Sequence, residues 1–448
     1  MRTSASLGYA LVLLVLAAVQ VRGADRPPNI LLITADNLGY GDLGCFGNRG
    51  NLTPNIDRLA GQGARLTAFY TAAATCTVSR ATLLTGRYPQ RIGLNHQLDA
   101  EENQRGIGLP HSEKLIPEYL KPLGYATACF GKWNIGFAPG SRPTERGFDE
   151  FLGIRSGNAD YYTHVYSGQH DLYRGVEPAY VSGYSADLFA EAANEFMRRH
   201  KSEPFFIYLP FSAVHYPKAR NKRPDEPNIW QAPPRFFFQY GFRPDTMDER
   251  KRYQATVTAL DDGVGRVLEQ LDALDLAANT IVIFYSDNGA FMRAGTGLEV
   301  ATNEPLRDGG NTLWEGGIRG AAMVRQPGKI TAGSIVDEPT ISLDILPTLI
   351  TAGGGTVLSS AKLDGVDVGS VWAGEQKAPR RSMFWHYRGY SAVRNGRHKI
   401  LRTAPDEPFQ VFDVVADIAE SSNLAFTKPQ VLARLEASFE NWLSQFGD

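Results

Sequence analysis

Short apolar runs alternate with amphipathic stretches along most of the chain. Residues 29–34 (Asn-Ile-Leu-Leu-Ile-Thr), 125–130, 205–210 and 281–286 are brief and almost continuously apolar. Each predicts a strand buried on both faces. Between them lie stretches with helical spacing, such as 187–199 and 252–271. In the second, Val257, Leu260, Val264, Val267, Leu268 and Leu271 recur on one face. Pro54 suits a first helical turn and opens a helix through Leu59 and Ala60. A further helix is predicted after Cys76, over residues 79–84. This alternation predicts an α/β domain built on a largely parallel sheet. From about Ala352 the pattern changes. A Gly- and Ser-containing loop leads to short alternating strands at 383–387, 390–393 and 398–401, with an Asn395-Gly396 hairpin turn. A terminal helix over 429–446 completes a small α+β appendage.

The buried runs end in polar clusters. The first delivers Asp36-Asn37, the second Gly131-Lys132, the third leads to His215, and the fourth delivers Asp287-Asn288-Gly289. Ligands of open α/β sheets bind beyond the carboxyl ends of the strands, so these clusters predict one composite site. Asp36, Asn37, Asp287 and Asn288 offer hard oxygen ligands suited to calcium or magnesium. Taken singly, Asp-Asn and Asp-Asn-Gly also read as ordinary turns, and His215 as a loop or core histidine beside a proline.

The 448 residues are 43% hydrophobic and 21% charged, enough for a large core, and the net charge of −2 favours neither nucleic acid nor an anionic membrane as partner. At the N-terminus Arg2 precedes an apolar run from Leu7 to Val19, and small residues follow at Gly23 and Ala24. This predicts a cleaved signal peptide over 1–24, hence a secreted or periplasmic protein with no membrane span in the mature chain. Cys45, Cys76 and Cys129 are an odd set of thiols, so at least one stays unpaired.

Cys76 to Arg80 reads Cys-Thr-Val-Ser-Arg, and Ala-Thr-Leu-Leu-Thr-Gly-Arg follows. This resembles the signature of the formylglycine-dependent sulfatases. Further landmarks come in the expected order: Gly124-Tyr125 with Gly131-Lys132-Trp133, Phe-Phe-Ile-Tyr-Leu ending at His215-Tyr216-Pro217, Ser286-Asp287-Asn288-Gly289, and Trp314-Glu315-Gly316-Gly317. Phe412-Asp413, Glu420 and Asn423-Leu424 resemble the family's C-terminal part. The resemblance implies an alkaline-phosphatase-like α/β/α sandwich with a mixed, largely parallel sheet. It places the catalytic domain at 25–352 and a C-terminal subdomain, an antiparallel sheet with a terminal helix, at 353–448. It implies hydrolysis of an aryl or carbohydrate sulfate ester, with Cys76 matured to formylglycine by the formylglycine-generating machinery. One calcium ion would be held by Asp36, Asn37, residue 76, Asp287 and Asn288. Arg80 would steady the formylglycine hydrate, Lys132 would bridge hydrate and sulfate, and His215 would protonate the leaving oxygen or bind sulfate.

Four positions depart from the family pattern. Val78 stands where the maturation machinery usually meets Pro or Ala. Asn134 replaces a histidine that takes the proton needed to re-form the aldehyde, and a neutral amide is no base. Gly310 stands where the family carries a lysine that binds sulfate, unless Arg307 reaches in. Asn37 replaces the commoner second Asp and removes one charge from the metal site. The sequence therefore leaves three readings open: a sulfatase, a sulfatase-fold protein that binds sulfated glycans without turnover, and a phosphoester hydrolase using an unmodified hydroxyl such as Thr77. Aromatic residues in two long loops (Tyr161, Tyr162, Tyr166, Trp230 and Phe236 to Phe238) read as loop packing or as platforms for sugar rings.

Overall fold

The first apolar run forms strand β1 (Asn29–Ala35), and all seven of its residues are buried. The computed structural model describes residues 26–447 apart from 100, 103–104, 218–221, 223–224, 227 and 293–298. The signal peptide expected over 1–24 lies outside the described residues. Successive side chains of β1 point to opposite faces of the sheet. Leu31 and Ile33 enter one hydrophobic core, while Ile30 and Leu32 enter another. Burial on both faces is why this strand reads as a continuous apolar run rather than an alternating one.

β1 is central in a ten-stranded sheet. The other strands are β2 (Ala64–Leu66), β3 (Ala126–Phe130), β4 (Glu150–Ile154), β5 (Leu172–Arg174), β6 (Glu177–Pro178), β7 (Phe205–Pro210), β8 (Thr280–Ser286), β9 (Ala322–Arg325) and β10 (Ser334–Val336). Their order is β10-β2-β9-β8-β1-β7-β3-β4-β5-β6. The run from β8 through β1, β7 and β3 to β4 is parallel. β9 lies antiparallel to β8 and to β2, and β5 lies antiparallel to β4 and to β6. The sheet is thus mixed with a parallel centre.

Helices cover both faces. On one, α1 (Pro54–Gln62), α3 (Ser185–Arg199) and α4 (Glu249–Ala273) contribute Ile56, Leu59, Phe189, Phe196, Leu260 and Val264. On the other lie α2 (Cys76–Thr85) and α5 (Ile345–Ala352), with Leu83, Leu84, Ile345 and Leu349. Each such side chain contributes about 1.5–3 kcal/mol on burial. The long helix begins at Glu249, ahead of its apolar stripe, because the Asp248 side chain accepts the Lys251 N–H and caps the first turn.

Four antiparallel strands in sequential order form the second sheet: β11 (Ser382–Tyr387), β12 (Tyr390–Asn395), β13 (His398–Arg402) and β14 (Gln410–Asp413). Asn395 pairs with His398, so the hairpin turn centres on Gly396-Arg397, with Gly396 at φ +59°, one residue later than the sequence suggests. The terminal helix α6 (Pro429–Leu443) packs Leu435, Phe439 and Trp442 on this sheet, in a core that also contains Tyr70 and Trp314 of the main body. All three cysteines are free thiols. No helix among the described residues is long and apolar enough to cross a membrane.

Candidate active site

Four adjacent parallel strands and one helix N-terminus deliver the polar clusters to a common point. Asp36 and Asn37 follow β1, Asp287 and Asn288 follow β8, Lys132 follows β3, and Cys76 opens α2. All of these residues and Arg80 are buried; His215, beyond β7, is half-buried. α2 is buried along its whole length. That explains its weak amphipathic pattern, and it means that the polar side chains of this helix must find partners inside the protein.

Ligand atoms of Asp36, Cys76 and Asp287 all lie within 4.8 Å of one another. Cys76 Sγ is 3.0 Å from Asp36 Oδ1 and 3.4 Å from Asn37 Oδ1. Lys132 Nζ pairs with Asp36 Oδ2. Arg80 pairs with Asp287 Oδ2 at 2.7 Å, lies 3.7 Å from Asp36 Oδ1, and donates to the Lys132 carbonyl at 3.0 Å. The Asn37 N–H donates to Asp287 Oδ1 at 3.2 Å, and the Ser79 hydroxyl to the Asp287 carbonyl at 2.5 Å.

Electrostatics follow from this packing. Burial pushes the Asp36 carboxyl up, but Lys132, His215 and Arg80 outweigh it and hold the group below its usual value. Burial and the charge of Asp36 push Asp287 up. Burial and Asp36 also raise the Cys76 thiol well above its ordinary value, so the unmodified residue is a poor nucleophile at neutral pH. Burial lowers His215 to about 4. Its Nδ1 lies 2.8 Å from the Tyr216 carbonyl, which leaves Nε2 as the lone-pair nitrogen of the neutral ring.

The donor set fits a hard divalent cation. Two carboxylates and two side-chain amides meet here, and Asn288 Oδ1 is buried without a protein partner. An orphaned buried acceptor of this kind costs about 1–3 kcal/mol unless a ligand satisfies it.

The four departures have distinct settings. Val78 is buried in α2. Asn134 accepts hydrogen bonds from Gln97 and Thr77. At Gly310, an added Cβ would lie 2.8 Å from the Phe291 ring and 2.7 Å from the Gly289 carbonyl, so a lysine there would require Phe291 to move. Arg307 does not replace that lysine. Its guanidinium stacks on Trp314 at 3.6 Å and donates to the Glu420 carbonyl at 2.9 Å. The loop aromatics are mostly packing: Tyr161, Tyr166, Trp230, Phe236 and Phe237 are buried, and Phe238 is exposed. Gln97, Phe291 and Tyr387 escaped the sequence reading because they belong to no motif. Tyr387, on the second sheet, turns its buried hydroxyl toward Thr75 within electrostatic reach of Cys76.

The sulfatase family profile matches residues 28–355, over half of the chain and all of the strands that deliver the cluster. This chain belongs to the sulfatase family. The sulfatase is 32% identical over 417 residues to N-acetylgalactosamine-6-sulfatase of Canis lupus familiaris, covering 88% of this chain and 76% of that one. It is 34% identical over 422 residues to arylsulfatase A of Homo sapiens, covering 86% and 77%. Among solved structures it is similar to Ps i-CgsB in complex with k-i-k-neocarrahexaose, with a TM-score of 0.83, 29% identity and 93% of each chain covered. The α/β/α architecture and the appended antiparallel sheet are thus those of a sulfatase, a family that hydrolyses sulfate esters.

Proposed function

We propose that this sulfatase hydrolyses a sulfate ester, carried on a sugar or an aryl group, through formylglycine at residue 76 and one calcium ion. The observation that carries the reading is the meeting of Asp36, Cys76 and Asp287 within 4.8 Å, with Lys132 and Arg80 packed against them. Asp36, Asn37, Asp287 and Asn288 would hold the ion, which supplies charge stabilisation to sulfuryl oxygens. Formylglycine supplies paired hydroxyls on one carbon, one to attack sulfur and one to regenerate the aldehyde. Arg80 is held by Asp287 and the Lys132 carbonyl and orients the residue 76 side chain. Lys132 lies beside Asp36 and contributes a positive charge to the bound sulfate. His215 must take up a proton before Nε2 can donate to a leaving oxygen, and the negative charge of a bound sulfate ester favours that uptake. Names of similar proteins support a sulfated carbohydrate as substrate. An exported protein matured by formylglycine-generating machinery fits the same reading.

Peptide mass spectrometry of the tryptic segment 66–80, from protein co-produced with a formylglycine-generating enzyme, tests this. Conversion of Cys76 is expected to remove about 18 Da. A thiol alone, in cells that convert a control sulfatase, would remove the proposed nucleophile.

A second reading, binding of sulfated glycans without turnover, is favoured by one specific feature. Asn134 is a neutral amide, and a lysine at 310 would require the Phe291 ring to move. Calorimetry with sulfated oligosaccharides separates the two: binding with no sulfate release favours it, and absence of binding excludes it. Thr77 is a poor alternative nucleophile, because its hydroxyl is engaged with Asn134 and the Leu98 N–H.

A further inference from the structure

Gln97 grips both residues that flank Cys76. Its Oε1 accepts the Thr77 backbone N–H at 3.0 Å and the Thr75 hydroxyl at 3.1 Å. A backbone N–H only donates, so the end of Gln97 that faces Thr77 is its carbonyl oxygen. The nitrogen is then the end that faces Asn134, and Gln97 Nε2 donates to Asn134 Oδ1 at 3.0 Å. The Thr77 oxygen itself accepts the Leu98 N–H at 3.3 Å, and its hydroxyl donates to the same Asn134 oxygen at 3.2 Å.

This chain of donors and acceptors decides which way the Asn134 amide faces. Both neighbours donate, so Asn134 presents its oxygen to them and turns Nδ2 away. That nitrogen is buried and has no partner, in a residue that is 0% exposed. The backbone at Asn134 has φ +58°, in the left-handed region that Asn tolerates. Asn134 lies two residues beyond Lys132, whose ammonium pairs with Asp36 at the centre of the site.

We propose that Gln97 is a positioning residue that fixes the Asn134 amide so that its Nδ2 donates to an oxygen of the sulfate group bound beside residue 76. The inference rests on the sulfate-ester reading. It assigns Asn134 a role in binding that a missing histidine alone does not suggest. A neutral donor holds the anion at every pH and takes no proton from it. The recognised chemistry is a tetrahedral oxyanion, either free sulfate or the sulfate of an ester.

The test is calorimetric titration of the full, calcium-loaded protein with inorganic sulfate, and separately with an aryl sulfate. Gln97→Glu keeps the shape but offers only acceptors. Its free oxygen calls for a donor, so the Asn134 amide turns over and points its oxygen at the anion. Q97E is expected to weaken sulfate binding by about tenfold or more. Asn134→Ala is expected to weaken it by a similar factor, and adding Q97E to that background to change little. The rise in Tm on adding calcium is expected to persist in Q97E. Should Q97E fail to fold, Gln97→Met removes the orienting groups at similar volume, with a several-fold loss expected. Unchanged sulfate affinity in the Gln97 variant, or an equal loss with and without Asn134, overturns the inference and leaves the sulfate site standing. Absence of sulfate and aryl sulfate binding in the unaltered protein overturns both.

Discussion

Asn134 concentrates the question of turnover in one side chain. Its amide is held by Gln97 and Thr77, so in the proposed formylglycine reaction no imidazole stands at this position to accept the proton released when the aldehyde re-forms. The left-handed backbone there is one that His also adopts with some frequency. Asn134→His is therefore expected to fold and to raise kcat on a chromogenic aryl sulfate by about a hundredfold, the scale of a general base. An unchanged kcat in a converted, calcium-loaded variant would show that another step limits the rate. Cys76, Arg80, Lys132 and His215 could be named from the signature, since motif residues keep their spacing whatever surrounds them. Gln97 could not, because its importance lies in whose amide it faces.

Among the elements, strand ends carry the candidate site and a connecting segment carries a buried histidine. Between β4 and β5, His164 is 1% exposed and its Nε2 has no partner. Burial, with His170 nearby, lowers it from 6.5 to about 4. The folded state therefore favours the neutral ring. The stability this represents is present above pH 6.5 and lost as the pH falls through about 4, amounting to about 3 kcal/mol at most. Urea denaturation between pH 7 and 4 is expected to show stability falling in that window, and His164→Gln to flatten the fall by about one proton. His215 shifts in the same direction and contributes to the same slope. Identical pH dependence in the variant would mean that His164 is already solvated. The strands were legible because runs buried on both faces leave an unmistakable apolar signature. The β5 and β6 strands were not, because three and two residues at a sheet edge carry too little pattern.

At the scale of the molecule, a buried charge cluster ties the second sheet to the main body. Lys399 of β13 pairs with Glu315 at 3.0 Å and Glu420 at 2.9 Å, all three side chains 0% exposed. Burial pushes the Glu315 carboxyl up, but Lys399, Arg319 and Arg394 hold it well below its usual value. Glu420 is raised by burial and by Glu315 itself. Lys399→Met would leave two facing carboxylates without their shared cation, a loss of about 3–5 kcal/mol. The expected readout is a large drop in the urea midpoint with α6 loosened first in hydrogen exchange. A drop within about 0.5 kcal/mol would mean that Arg319 and Arg394 suffice to balance the cluster. The same docking brings Tyr387 toward Thr75, so part of the site wall comes from the second sheet.

By itself the sequence determined the parallel α/β core, the appended sheet and helix, and the residues carried to the strand ends. Those follow from periodicity and from local motifs, which are properties of neighbours along the chain. Only the tertiary structure decided that Arg307 turns to Trp314 rather than to the site, that Phe291 fills the space at Gly310, and that Gln97 sets the amide of Asn134. These side chains meet only in the folded chain, Gln97 and Asn134 across 37 residues and Arg307 and Glu420 across 113. A hydrogen-bond direction or a van der Waals contact is a property of that meeting, and no spacing along the chain encodes it.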